Sequence, residues 1–166
     1  MKTTADLLLL GEPLLYQVSE AIKPEELKEV KSWVHDLHEV MEDIRRKYNF
    51  GRAIAAPQLG NMKRLIYMNI DKPLIFINPK IISKSEEMFE VWDDCMCFPN
   101  LLVKVLRHKT IEIEYLDENW KLQKSVFEND LSELFQHEFD HLEGILCTMR
   151  AIDNKSFRWR FSEIGK

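Results

Sequence analysis

Two histidines four residues apart, His137 and His141, stand in the run Gln136-His137-Glu138-Phe139-Asp140-His141. On a helix such a pair shares one face, so both imidazoles can reach a single metal ion. Glu138, the next residue along, can reach a water held by that ion. Two fixed ligands with a base beside a nucleophilic water are the parts of a metal hydrolase. A surface helix that happens to carry two histidines would explain neither Glu138 nor the motifs upstream. A metalloenzyme is expected.

A catalytic metal takes three protein ligands and keeps one position open. Asp140 adjoins His141 and is expected to orient a neighbour. Glu143 lies two residues past His141 and points off the ligand face. Glu163 would have to come from a second helix with only three residues after it. Cys147 follows the end of the helix and reads as a plain buried thiol. Cys95 is the best candidate, in Asp93-Asp94-Cys95-Met96-Cys97-Phe98-Pro99. If that segment is extended, Cys95 and Cys97 face the same way, and periodicity does not choose between them. His35 and His38 lack a third ligand nearby and are expected to be ordinary exposed histidines.

The elements that must position these groups are partly legible. Pro24 to Tyr48 repeats apolar residues at helical spacing (Leu27, Val30, Val34, Leu37, Met41, Ile44), and Asn49-Phe50-Gly51 ends it. A compact loop, Ala53 to Gln58, follows. Arg64–Ile70 and Leu74–Ile77 read as strands joined by Asp71-Lys72-Pro73. Thr110–Leu116 alternates cleanly, and Asp117-Glu118-Asn119 turns into a partner strand that ends near Phe127. Asn129 or Asp130 is the expected cap of the histidine helix, and Gly144 its stop. Helix, strands, helix in that order gives an α+β domain.

With 166 residues, 45% of them hydrophobic, the chain can bury one core, so a single domain over residues 1–166 is expected. A formal charge of −5 with a pI near 5.6 argues against direct nucleic-acid binding. No apolar run approaches the roughly 20 residues of a membrane span. The Leu7–Leu10 run ends at Gly11-Glu12-Pro13 without a cleavage site, which makes it a poor signal peptide. Three cysteines make no disulfide framework, and a reducing cytoplasmic location is expected.

Three segments resemble the motifs of the peptide deformylase family. They are Gly51-Arg52-Ala53-Ile54-Ala55-Ala56-Pro57-Gln58, Asp93-Asp94-Cys95-Met96-Cys97-Phe98-Pro99, and His137-Glu138-Phe139-Asp140-His141-Leu142-Glu143-Gly144. They occur in the family's order, and Val105-x-Arg107 and the opening Leu10–Leu15 also fit, so the resemblance spans most of the chain. It implies antiparallel β-sheets packed around a central helix bearing the His-Glu-x-x-His motif, with a long N-terminal helix. It also implies removal of the formyl group from the N-terminal methionine of new polypeptides. Cys95, His137 and His141 would then hold one divalent metal, Fe2+ first, with Zn2+, Ni2+ or Co2+ as other occupants. Glu138 would move the protons, and the Gln58 amide and the Met96 backbone N–H would stabilise the oxyanion. An N-formylated peptide is the implied partner, the ribosome a further one, and a monomer the implied state.

Some residues depart from the family pattern. Asp93-Asp94 stands where the family has Glu-Gly, so pairing with Arg107 would need the backbone to move closer. Ala53 replaces a glycine, and Cys97 a serine. Arg52, Ala53, Ile54, Asp94 and Glu133 are expected to line the substrate pocket. Glu133, four residues before His137, shares the ligand face. A carboxylate there needs a partner, and Arg52 is the natural one. This polarity leaves two alternatives: a deformylase-fold amidase for a different N-acyl substrate, or a non-catalytic metal-binding relative. Trp92 and Trp120 are expected to be packing residues. The stretch Phe157-Arg158-Trp159-Arg160-Phe161 is expected to be a frayed helix that packs its aromatics, with contact to a partner such as the ribosome as the second reading.

Overall fold

The computed structural model describes residues 1–160. Glu163 and Phe161 lie outside the described residues. Helix α1 runs over Leu27–Tyr48 and is preceded by one tight turn at Pro24–Glu26. Its buried residues are Val30, Leu37, Val40, Met41 and Ile44, the apolar stripe of the periodicity. The helix stops at Asn49, whose φ of 57° is left-handed and which short polar side chains tolerate. His35 is exposed on the outer face. His38 is half-buried, with Nδ1 2.9 Å from the Tyr67 hydroxyl.

The next element corrects the expected loop. Ala53–Ala55 is a short strand, β1, and Ala56–Leu59 a tight helical turn. Then come β2 (Leu65–Asn69), β3 (Pro73–Lys84), β4 (Met88–Asp94), β5 (Leu101–His108), β6 (Thr110–Leu116) and β7 (Leu122–Glu128). Helix α2 covers Asn129–Leu142, and β8 covers Phe157–Trp159. One antiparallel sheet has the order β1-β2-β3-β6-β7, and a second has β4-β5-β8.

Helix α2 is mostly buried, including Phe135, His137, Glu138 and His141. Phe135 meets Phe76 of β3 with ring centroids 5.2 Å apart and Phe127 of β7 at 5.5 Å. The alternation in β6 puts Ile111 and Ile113 into this same cluster. The cap differs from expectation: Glu128 is the capping residue, and Asn129 begins the helix with a φ of 53°. Gly144 does end it, with a φ of 69°, and a side chain there would meet the Tyr16 backbone at 2.6 Å. The chain therefore folds as an α+β protein with antiparallel sheets around the helix that carries the two histidines.

Candidate active site and metal centre

One turn of α2 brings His137 Nε2 and His141 Nε2 to 3.2 Å of each other. Cys95, the first residue past β4, places Sγ 3.4 Å from His141 Nε2. All three ligand atoms lie within 4.8 Å of one another, and all three residues are buried. The turn after β4 (Phe98 N–H to Cys95 carbonyl, 3.1 Å) means that the segment is not extended. Of the two neighbouring cysteines, Cys95 alone joins this cluster. Cys97 Sγ instead lies 3.6 Å from the Gln58 amide nitrogen.

The electrostatics of the trio favour a cation. Burial pushes the Cys95 thiol far above its ordinary value, and Cys97 and Cys147 push it the same way. Burial and the charge on His137 hold His141 well below the usual imidazole value. His137 goes the other way: burial opposes its charge, but Asp93 wins and raises it well above the ordinary value. A thiol and two imidazoles that converge with their lone pairs unmatched are costly to bury. A divalent ion among them would allow the thiolate and satisfy both lone pairs. The donor set suits tetrahedral or near-tetrahedral transition-metal binding.

Asp93 supports the trio from behind. Its Oδ1 lies 2.8 Å from His137 Nδ1, in an ion-pair contact too bent to count as a hydrogen bond. Its Oδ2 accepts from Arg107 Nη2 at 2.7 Å. Burial would raise the Asp93 pKa, but His137 and Arg107 prevail and lower it to about 2. The shorter Asp side chain thus keeps the pairing with Arg107. Arg107 Nη1 also donates to Asp140 at 2.6 Å, and Arg150 donates to both oxygens of Asp140. Asp140 thus sits between two arginines, outside the Cys95-His137-His141 cluster. Cys147 lies beside Asp93 and His137, but Arg107 also occupies that carboxylate.

Gln58 is buried behind the cysteines. Its Oε1 accepts from the Ala55 N–H at 2.8 Å, which fixes the amide orientation. Its Nε2 therefore points to Cys95 Sγ, 3.8 Å away. Glu138 is fully buried, and its Oε2 has no hydrogen-bond partner among the described residues. Burial, with the charges of Asp93, Asp94 and Glu133, raises its pKa to about 7 although His137 pulls it down.

These groups open onto a cleft of about 340 Å³. Arg52, Ala53, Asp94, Met96 and Glu133 all line it, as does Trp92. Ile54 does not: it is fully buried in the core under α1, on the opposite side of β1. Ala53 pairs with Met68 in the sheet and has no positive φ, so no glycine is required there. Gly51 is required: its φ is 120°, and a side chain would meet Met96 Cε at 2.9 Å. Arg52 Nη2 donates to Glu133 Oε1 at 3.0 Å, and Nη1 to Asp130 at 2.8 Å.

Three features were missed or misread in the sequence. Trp92 faces the cleft, flanked by the cations of Arg158 at 4.1 Å and Lys104 at 5.3 Å from its ring centroid. The expected frayed helix is strand β8, and Phe157 and Trp159 on it are exposed. Arg160, just past β8, pairs with Asp94 and lies over the Phe50 ring at 4.1 Å. No local signal could have joined Asp94 to a residue so distant in the chain. Trp120 packs partly buried against the core under α1, as expected.

Comparison with known proteins gives the family. Residues 4–157 match the family described as polypeptide deformylase. A peptide deformylase of Treponema pallidum is 34% identical over 151 residues, covering 90% of this chain and 89% of that protein. One from Rhizobium meliloti is 34% identical over 150 residues, covering 87% and 83%. Among solved structures, the peptide deformylase from Synechococcus elongatus in complex with actinonin superposes with a TM-score of 0.83 at 29% identity, covering 90% of this chain and 80% of that one. The Met-Ala-Ser-bound class I type b enzyme from Acinetobacter baumannii gives 0.75 at 27% identity, covering 87% and 96%. The family match over residues 4–157 and relatives of this identity and coverage show that the chain belongs to the polypeptide deformylase family.

Proposed function

We propose that Cys95, His137 and His141 hold one divalent metal, Fe2+ in the native enzyme, and that Glu138, Gln58 and the Met96 backbone carry out hydrolysis of the formyl amide on nascent peptides. Removal of the N-formyl group is the activity of the family. The observation that carries the residue assignment is the convergence of Sγ, Nε2 and Nε2 beside a buried carboxylate with a free oxygen. A metal bound there supplies Lewis acidity and an activated water at neutral pH.

The chain's own groups do the rest. Glu138, with a pKa near 7, accepts a proton from the attacking water and returns one to the departing amine. The Gln58 Nε2–H2 group, held by the Ala55 N–H at its other end, donates to the oxygen that gains negative charge. The Met96 N–H, in the turn beside Cys95, donates from the other side. Asp93 fixes the ring of His137 and increases its affinity for a cation. The walls of the cleft align the peptide so that its formyl carbon meets these groups. A thiolate gives the ion more charge than a carboxylate would, which suits Fe2+ where affinity order alone would not select it.

Metal analysis separates the two cysteines. Cys95→Ser is expected to lose bound metal and turnover together, whereas Cys97→Ser keeps one equivalent of metal. Retention of a full equivalent by the Cys95 variant would overturn the ligand assignment.

A further inference from the structure

Strand β8 and the residue after it bring two arginines to aromatic rings of the cleft lining. The strand pairs with β5 over three positions only, Leu101 with Trp159, Leu102 with Arg158 and Val103 with Phe157. Leu102 is also opposite Asp94, and Lys104 opposite Trp92, so Trp92, Asp94 and Arg158 share one face of the smaller sheet. Phe157 and Trp159 alternate onto the other side and are exposed, so burial of their rings does little to hold the strand. The arginines hold it instead. The guanidinium carbon of Arg158 lies 4.1 Å from the Trp92 ring centroid, and that of Arg160 4.1 Å from the Phe50 centroid.

Arg160 is fastened at several points. Its backbone N–H donates to the Asn100 carbonyl at 2.7 Å, and its Nε to the Pro99 carbonyl at 3.1 Å. Its Nη2 donates to Asp94 Oδ2. Phe50 and Asp94 both line the cleft, the first from the segment after α1 and the second from the end of β4, beside Cys95. Arg160 thus ties two walls together without lining the cleft itself. Asp94 needs that tie. Among the described residues no other cation pairs with it, and its side chain, 38% exposed, would otherwise be free to turn into a cleft that already holds Glu133 and Glu138. We propose that Arg160 is a positioning residue for the reaction: seated on the Phe50 ring, it holds the Asp94 carboxylate back at the rim and so keeps open the space that receives the peptide.

The inference rests on the deformylase reading of the site. Its test uses the metal-loaded full chain with formyl-Met-Ala-Ser. Arg160→Met keeps an apolar cover on Phe50 but loses the charge. It is expected to raise KM roughly fivefold, the upper end for a partly exposed ion pair, with kcat and bound metal little changed. A merely structural tie would lower the melting temperature and the active fraction, and hence kcat, and leave KM where it was. Arg160→Lys keeps the ion pair and should recover most of the loss. Asp94→Gly removes the carboxylate that Arg160 holds, so in that background Arg160→Met should change KM by less than about twofold. An unchanged KM in Arg160→Met, no recovery by lysine, or an equal rise in both backgrounds overturns the inference. Calorimetric titration with the product Met-Ala-Ser reads the same cycle without turnover. If binding follows the cycle while no formyl peptide is hydrolysed, the deformylase reading fails and the positioning role stands. If the peptide is hydrolysed and neither KM nor binding follows the cycle, the positioning role alone fails. Protein that neither hydrolyses the formyl peptide nor binds Met-Ala-Ser overturns both.

Discussion

At the scale of single residues, the site turns on carboxyls made reluctant to ionise and thiols made reluctant to lose a proton. Gln58 has one end fixed by the Ala55 N–H and the other turned to the cysteine sulfurs, and its proposed use is in charge stabilisation. Gln58→Ala should lower kcat roughly 10²–10³-fold with little change in bound metal, as steady-state kinetics and metal analysis will read. Glu133 carries a pH prediction. Its folded pKa, about 7, lies above the ordinary 4.5 because burial, and after it Asp93, disfavours the anion. Below about pH 4.5 the group is protonated whether folded or unfolded and costs no stability. As the pH rises through 7 the unfolded chain ionises freely while the folded one resists, so stability falls and then levels off. Glu133→Gln escapes this. Its melting temperature relative to wild type should be more favourable at pH 8 than at pH 5, and an equal offset at both would contradict the account.

At the scale of elements, the proposed metal centre is a junction of α2, the end of β4 and the turn after β1, tied by buried ion pairs. Arg107 on β5 joins Asp93 of β4 to Asp140 of α2. Arg107→Met leaves two buried carboxylates short of a partner and should cost roughly 3–5 kcal/mol in denaturant unfolding. Asp93→Asn keeps the shape but loosens His137, and should weaken metal affinity about 10–100-fold in chelator competition. Unchanged affinity would remove Asp93 from its supporting role. Helix α1 and β6 were legible because their burial repeats at 3.6 and 2 residues, and the histidine helix through its motif and the Gly144 stop. Strands β4 and β5 were not read, because β4 mixes Glu90, Trp92, Asp93 and Asp94 at the edge of a cleft, where function breaks the alternation. Strand β1 has three buried residues in a row and no period to read. Strand β8 exists through its pairing with Leu101–Val103, a contact made far along the chain.

At the scale of the molecule, three apolar clusters surround the site: one under α1, one between α2 and the larger sheet, and one beneath the smaller sheet. Cys95 belongs to the third and Met96 to the first, so the cysteine turn is anchored where they meet. The metal trio was readable from motif resemblance, and the Glu133–Arg52 pair from helix spacing. The choice of Cys95 over Cys97 on geometry needed the turn after β4. The Asp94–Arg160 pair needed the whole fold, since it brings the end of the described chain to the cleft wall. Among the described residues no helix is long and apolar enough to cross a membrane. The central claim is that this arrangement hydrolyses a formyl amide through Glu138. The most direct test is turnover of formyl-Met-Ala-Ser by anaerobically prepared, iron-loaded protein beside Glu138→Gln. The account predicts clear release of formate by the wild type and a loss of roughly 10²–10⁴-fold in the variant with metal still bound. No turnover by wild-type protein that holds a full equivalent of metal, or equal turnover by both proteins, would contradict it.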